Sequence, residues 1–254
     1  MNIKNFVFVH SVQLIDLLES RRALAGLNGH MYVLLGSMEK HEQLLAVSPH
    51  KDSVILASAQ PNNIEGTKNY LQFTGWFALA NNPLIDDDVD YVGLYEYDVE
   101  PKLGFDDCVR KGLANNSDLD ILGFFTYPKN MMFFHRTDQY CQLITRYLEE
   151  YLKITVENFI RDMTPTFSSW MVTSNVVMRR QRFLEFMWSD YMRDLMKFLD
   201  NNKLSGHALE RSISLYFMLN KWNAGVILDK LSHVGADSHD TQGHKERYDR
   251  SYGV

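Results

Sequence analysis

The sequence predicts an α/β fold, a mostly parallel central sheet flanked by helices, with a helix-rich C-terminal half. Three observations predict it. Short β-branched and aromatic runs alternate with helically periodic stretches through the first half, the pattern of strand–crossover–strand units. The runs at 90–98 and 119–126 are short and apolar, as buried strands are. Beyond residue 137 helical periodicity predominates.

Taken in order, Lys4 to Val9 alternates lightly and predicts a first strand, and Gln13 to Leu24 a helix carrying Leu14, Leu17, Leu18 and Leu24 at helical spacing. Gly26 and Gly29 punctuate the chain before a second strand, His30 to Leu35, closed by Gly36. A third apolar run, Val54-Ile55-Leu56, lies within Lys51 to Ala59, and Asn62 and Asn63 open a loop. Ile64 to Leu79 predicts a helix lined by Tyr70, Phe73, Trp76 and Phe77 and stopped by Asn81-Asn82-Pro83. The strand ending at Glu96 and Asp98 follows, then a short helix over Phe105 to Leu113 and a buried strand over Leu119 to Thr126. Thr137 opens a long amphipathic helix to about Phe159. A strand over Trp170 to Met178, helices over Gln181 to Leu199 and Ser205 to Leu219, and a short strand over Gly225 to Leu231 complete the pattern. From Ser232 the chain is polar and rich in His and Asp, either a flexible terminus or a loop folded over a site. Neither an internal repeat nor a linker rich in Gly, Pro or Ser interrupts it, so one domain is expected.

With 254 residues, 45% of them hydrophobic, the chain can bury a substantial core. A net charge of −6 provides no global basic field for nucleic acid or an anionic membrane; Arg179-Arg180-Gln181-Arg182 is the strongest local basic stretch. Two cysteines, Cys108 and Cys141, argue against a disulfide framework and for a reducing compartment. No run of about 18 apolar residues occurs. A cytoplasmic location is therefore expected, with peripheral membrane contact left open. Nucleophile-elbow, Walker, dinucleotide-binding, His-Glu-x-x-His and Cys-x-x-Cys motifs are missing.

The most informative stretch is Asp90-Tyr91-Val92-Gly93-Leu94-Tyr95-Glu96-Tyr97-Asp98, a buried run ending in two carboxylates one residue apart. In open α/β sheets ligands bind outside the carboxyl ends of strands. Period-two geometry puts Glu96 and Asp98 on one face, with Tyr97 directed into the packing. Paired hard oxygens at that place suit a divalent cation held against a diphosphate; the alternative is a strand ending in solvated acids. Asp86-Asp87-Asp88 precedes the strand and reads as a solvated turn. His207 at a helix entry and His233 just after the last strand are candidate imidazole ligands or solvated loop residues, with His233 preferred by position. Glu210, in the first helical turn, either compensates the helix dipole or acts as a general base; Arg211 beside it suits a carboxylate or a phosphate. Thr173-Ser174-Asn175 interrupts an apolar strand and either serves the sheet or bonds sugar hydroxyls, and Trp170 is either core or a stacking face for a sugar ring.

The order of these features, from the aromatic helix ending in Asn81-Asn82, through Tyr91 to Asp98 and Trp170 to Met178, to Gly206-His207-Ala208-Leu209-Glu210-Arg211, resembles the nucleotide-sugar-dependent glycosyltransferases of the GT-A fold, of bacterial or viral glycan-assembly type. The resemblance runs roughly from Phe6 to His239. It implies a GT-A-like fold with a nucleotide- and donor-binding half (1–100), an acceptor-side half (101–231) and a polar tail (232–254) that could serve as a lid. It implies Mn2+ or Mg2+ and the donor diphosphate at the family's Asp-x-Asp position, here Glu96 and Asp98, with Asp98 the direct ligand and Glu96 acting through water or the donor ribose. The first acid departs from the commonest form. A C-terminal His joins the metal in some members, and His233 matches by order. Inverting members carry a base where Glu210 stands, although the usual adjacent Glu-Asp pair is missing. Val9, His10 and Ser11 fall at the nucleotide base, Tyr97 lies inside the diphosphate motif, and Lys68 either reaches donor phosphates or is solvated. Trp170, Thr173, Ser174 and Asn175 fall on the acceptor side. The implied reaction is transfer of a sugar from a nucleotide-diphosphate donor, UDP by family frequency, to a glycan hydroxyl. Two other classes stay open: a non-catalytic sugar- or nucleotide-binding protein on the same scaffold, and a sugar nucleotidyltransferase. Against the latter, His10-Ser11-Val12-Gln13 stands where a Gly-rich, basic phosphate loop is expected.

Overall fold

A computed structural model describes residues 1–61, 63–66, 68–128, 139–162, 169–171, 174–200 and 202–233. The first half alternates strands and helices: β1 (Ile3–Val9), α1 (Val12–Arg21), β2 (Met31–Leu34), α2 (Met38–Val47), β3 (Val54–Leu56), α3 (Phe73–Ala80), β4 (Tyr91–Glu96), β5 (Val99–Pro101) and α4 (Phe105–Asn115); α2 and β5 are not among the elements expected from the sequence. The second half comprises β6 (Ile121–Gly123), β7 (Thr126–Pro128), α5 (Gln139–Arg146), α6 (Val156–Asp162), β8 (Ser169–Met171), β9 (Val176–Arg179), α7 (Arg180–Met187), α8 (Asp190–Leu199), α9 (Ser205–Leu219), β10 (Ala224–Val226) and β11 (Leu231–His233).

Seven strands form the central sheet in the order β10-β6-β9-β4-β1-β2-β3. All its pairs are parallel except those of β9, which runs antiparallel to both β4 and β6. Period-two alternation on β1 divides the core. Phe6 and Phe8 join Val92, Leu94, Trp76, Phe183, Phe186 and Phe217 on one face, under α3, α7 and α9. Val7 and Val9 join Tyr91, Tyr95, Leu14, Leu18 and Phe105 on the other, under α1 and α4. Both faces are thus covered, which is why the strands read as apolar runs. The Asp86–Asp88 turn is exposed as expected. The basic stretch is absorbed by acids: Arg180 pairs with Asp87 at 2.8 Å, and Arg182 with Asp120 at 3.0 Å and Glu185 at 2.6 Å.

Four predicted elements prove shorter than their periodicity suggests. The helix expected over 64–79 is α3 alone, because Leu71 adopts a left-handed φ of 51° between a 3-10 turn at Lys68–Tyr70 and the helix. The long helix from 137 ends in a π-helical turn, Tyr147–Tyr151. Lys153 then takes φ 60°, and α6 restarts where Thr155 Oγ1 accepts the Asn158 N–H at 3.2 Å. Gln181 to Leu199 divides at Ser189, whose hydroxyl accepts the Met192 N–H and caps α8. Trp170 to Met178 divides into β8, which pairs with β7, and β9 in the central sheet. At the C-terminal end, β10 stops at Val226, and Ser232 and His233 belong to β11, antiparallel to β5. The proposed lid beyond residue 233 lies outside the described residues.

Candidate active site

β1 and β4 end together, Phe8 lying opposite Glu96. Because β9 is antiparallel to β4, its entry sits at that same end: Val176 pairs with Leu94, which brings Ser174 and Asn175 beside Glu96. Asn175 Oδ1 accepts the Glu96 N–H at 2.8 Å, ending the ladder with a side chain. The backbone then turns through Tyr97 and Asp98 into β5. Strand geometry therefore does not extend to Asp98, and the expected single face for the two acids is replaced by a turn.

Glu210 is the sixth residue of α9, not a first-turn residue as the sequence suggested, because the helix begins at Ser205. Dipole compensation, confined to the first turn, is correspondingly weak there. Its carboxylate is buried and engaged on both oxygens. Oε1 accepts from Gln72 Nε2 at 2.6 Å, while Oε2 lies 3.1 Å from Arg211 Nη1 and 3.5 Å from His207 Nδ1. The Arg211 guanidinium also lies 4.9 Å from the Tyr140 ring centroid, and that ring meets His207 at 4.7 Å. Gln72 Nε2 further reaches Ser174 Oγ at 2.9 Å and Glu96 Oε1 at 3.1 Å, and the Ser174 hydroxyl donates to Glu96 Oε1.

Burial, with the charges of Glu210 and Asp98 and a hydrogen bond to Glu210, pushes the Glu96 carboxyl well above the usual carboxylate range. Burial acts on Glu210 in the same direction. It is outweighed by hydrogen bonds from His207 and Glu96 and by the positive charge of His207 and Arg211, so Glu210 ends below its usual value. Two carboxyls in contact do not both ionise readily; here Glu96 keeps the proton and Glu210 the charge. A folded-state value raised above the unfolded one stabilises below the unfolded value and is lost as pH rises toward the folded one. Glu96 thus weakens the ligand-free protein at neutral pH. Glu96→Gln, which reproduces the protonated form, is expected to raise the melting temperature at pH 7.5 by about 2–4 °C, roughly 1 kcal/mol. That gain should shrink toward pH 4, and equal gains at both pH values would refute the shared proton.

The start of α9 is docked by close packing. A Cβ on Gly206 would lie 2.6 Å from Leu71 Cγ and Cδ1 and 3.0 Å from its Cβ. Gly206→Ala gains about 1 kcal/mol of helix propensity but overpacks a contact that typically costs about 1–3 kcal/mol. Net destabilisation of about 1 kcal/mol is expected in urea melts, with Gln72 displaced through its neighbour Leu71.

The remaining predicted residues divide by place. His10 and Tyr97 meet edge to face at 5.0 Å where β1 and β4 end. The Val9 side chain is in the core, and Ser11 Oγ caps α1 by accepting the Leu14 N–H at 3.2 Å. Lys68 lies in the 3-10 turn before α3 and Trp170 in β8, opposite Tyr127; their side chains, like Thr173, lie outside what is described. The register of β11 sets His233 opposite Val99, the residue after Asp98. Gln72 and Tyr140 escaped the sequence reading. A glutamine ahead of an aromatic helix and a tyrosine in an amphipathic one carry no local signature.

Asp98 offers a half-buried carboxylate at this end of the sheet, an oxygen donor of the type a divalent cation takes; His233 is one register step away in the backbone, and its side chain lies outside what is described. Glu96 fits less directly, its carboxyl being held by Ser174, Gln72 and Glu210. Among the described residues, no three His, Cys, Asp or Glu side chains group closely enough to hold a metal. No helix among them is long and apolar enough to cross a membrane.

No protein-family model and no curated protein matches the sequence. Solved structures do. The bifunctional glycosyltransferase WbbM, in its apo form, aligns with 92% of this chain at a TM-score of 0.55 and 16% identity. The chain has the GT-A glycosyltransferase fold. It spans 46% of the WbbM chain, less than half its length. Two further GT-A structures align less closely: the S. cerevisiae mannosyltransferase Ktr4p (TM-score 0.41, 15% identity, 91% of this chain and 70% of that one) and the galactosyltransferase LgtC with donor and acceptor sugar analogs (0.42, 11%, 88% and 72%). The antiparallel β9 is what brings Ser174 and Asn175 to the carboxyl end of β4.

Proposed function

We propose that this protein transfers a sugar from a nucleotide-diphosphate donor, a UDP-sugar in the first instance, to a hydroxyl of a glycan acceptor. The observation that carries the proposal is the meeting of Glu96 and Glu210, distant in sequence, in one buried polar cluster at the carboxyl end of a GT-A sheet. Such convergence is not needed for stability, since burying two carboxyls against each other opposes folding.

In this reading Asp98 and His233 would hold Mn2+ or Mg2+, with Glu96 next to them, and the bound ion would supply positive charge for the departing diphosphate. His10 and Tyr97 face the nucleotide, Tyr97 having a ring for the base to pack against. Glu210 stays ionised beside His207 and Arg211 and takes the proton of the attacking hydroxyl at Oε1 or Oε2 as one of its present donors gives way. Ser174 and Asn175 lie where acceptor hydroxyls approach. Thermal shift and UDP, GDP or CMP release over a panel of UDP-, GDP- and CMP-sugars, with and without Mn2+, tests the reading. Stabilisation and slow nucleotide release with one donor class is the expected result. Binding without release would favour a non-catalytic sugar-nucleotide-binding protein, and no response to any donor would overturn the proposal.

A further inference from the structure

We infer that Gln72 is a positioning residue of this site, fixing the orientation of the Glu210 carboxylate relative to Glu96 and Ser174; the inference rests on the glycosyl-transfer reading. Gln72 is 7% exposed, and its one amide nitrogen approaches acceptors that are 24, 102 and 138 residues away in sequence. A carboxamide nitrogen carries two hydrogens. Ser174 gives its own proton to Glu96, so Glu96 Oε1 is already served. The two amide hydrogens then fall to the shorter contacts, Glu210 at 2.6 Å and Ser174 at 2.9 Å. Both amide hydrogens and the Ser174 hydroxyl hydrogen then have an acceptor. The reversed amide would set a carbonyl oxygen 2.6 Å from the ionised Glu210 Oε1, so Glu210 selects the orientation.

The donor is neutral, and that distinguishes it from the other side of Glu210. Oε2 faces the cationic Arg211 and the imidazole of His207, which hold the carboxylate as an anion. Oε1 faces an amide, which directs the carboxylate without cancelling its charge. The backbone is arranged to deliver Gln72 there. Leu71 takes the left-handed region, unusual for a branched side chain, and its side chain seats against Gly206 at the start of α9. Gln72 thus stands at the entry of α3 and reaches the end of β4, the approach to β9 and α9.

Gln72→Met keeps the length and removes the hydrogens. With the nucleotide sugar that wild type turns over in the presence of Mn2+, kcat is expected to fall about 10- to 100-fold, as small misplacements of reacting groups do, while donor KM stays within about threefold. Unchanged kcat, or kcat and KM altered together, would overturn the inference. A second measurement is independent of activity: melting temperatures of Gln72→Met, Glu210→Gln and the double variant. Contact between the two side chains requires non-additive shifts; additive shifts would overturn the positioning role. A wild type that turns over no nucleotide sugar would refute the glycosyl-transfer reading alone, leaving the melting cycle to decide the role of Gln72.

Discussion

Asp98→Ala is expected to abolish Mn2+-dependent donor binding and to lower transfer on the order of 10²- to 10³-fold, the usual effect of removing a group that stabilises developing charge. Stability should change by less than about 1 kcal/mol, because Asp98 is half-buried in a turn and not part of either core cluster. Titration calorimetry of Mn2+ and UDP separates these quantities. Unchanged affinity for both would remove Asp98 from the site and, with it, the assignment of the β4 end as the diphosphate position. Glu96→Gln provides the contrast. Its carboxyl already holds a proton and protein partners, so its loss should affect metal affinity less than loss of Asp98 while stabilising the ligand-free fold. A pair of acids that looks equivalent in sequence thus divides into a ligand and a partner of Glu210.

Glu210→Gln is expected to lower kcat about 10²- to 10⁴-fold, the range of general-base contributions, with donor affinity changed less than about threefold. The substitution keeps the hydrogen-bonding length to Gln72 but removes the charge that Arg211 and His207 surround. If kcat and donor affinity fell together, Glu210 would be a binding group and not a base. A carboxylate held below its usual value is a weak base but a fully ionised one at neutral pH. It suits a reaction in which the hydroxyl proton leaves as the bond to the sugar forms, when the attacking oxygen has become more acidic. The close contact with Glu96 argues against the two acids acting as a nucleophile and acid pair on opposite sides of a sugar, which needs them about 5 Å or more apart.

The N-terminal half was legible because its signals are local. β1, β2, β3 and β4 are short apolar runs, α1 and α4 carry helical periodicity, and the acid pair stands at a strand end. These follow from period and composition, which no long-range contact has to supply. The helices of the second half were legible in location but not in extent. Lys153 and Ser189 there, like Leu71 ahead of α3, break what periodicity joins, and each break depends on a backbone choice or cap that apolar spacing does not encode.

By itself the sequence determined the α/β class, the strand that carries Glu96 and the separate candidacy of Glu210, since each rests on residues adjacent along the chain. Only the tertiary structure decided that Glu96 and Glu210 share one buried cluster, that Gln72 lies between them, that Asp98 sits in a turn and that His233 is registered beside it. Those relations are made by β9 running antiparallel, by α9 packing onto Leu71 through Gly206 and by β11 pairing with β5. They are contacts between segments tens of residues apart, selected by burial and register, and no local pattern records them.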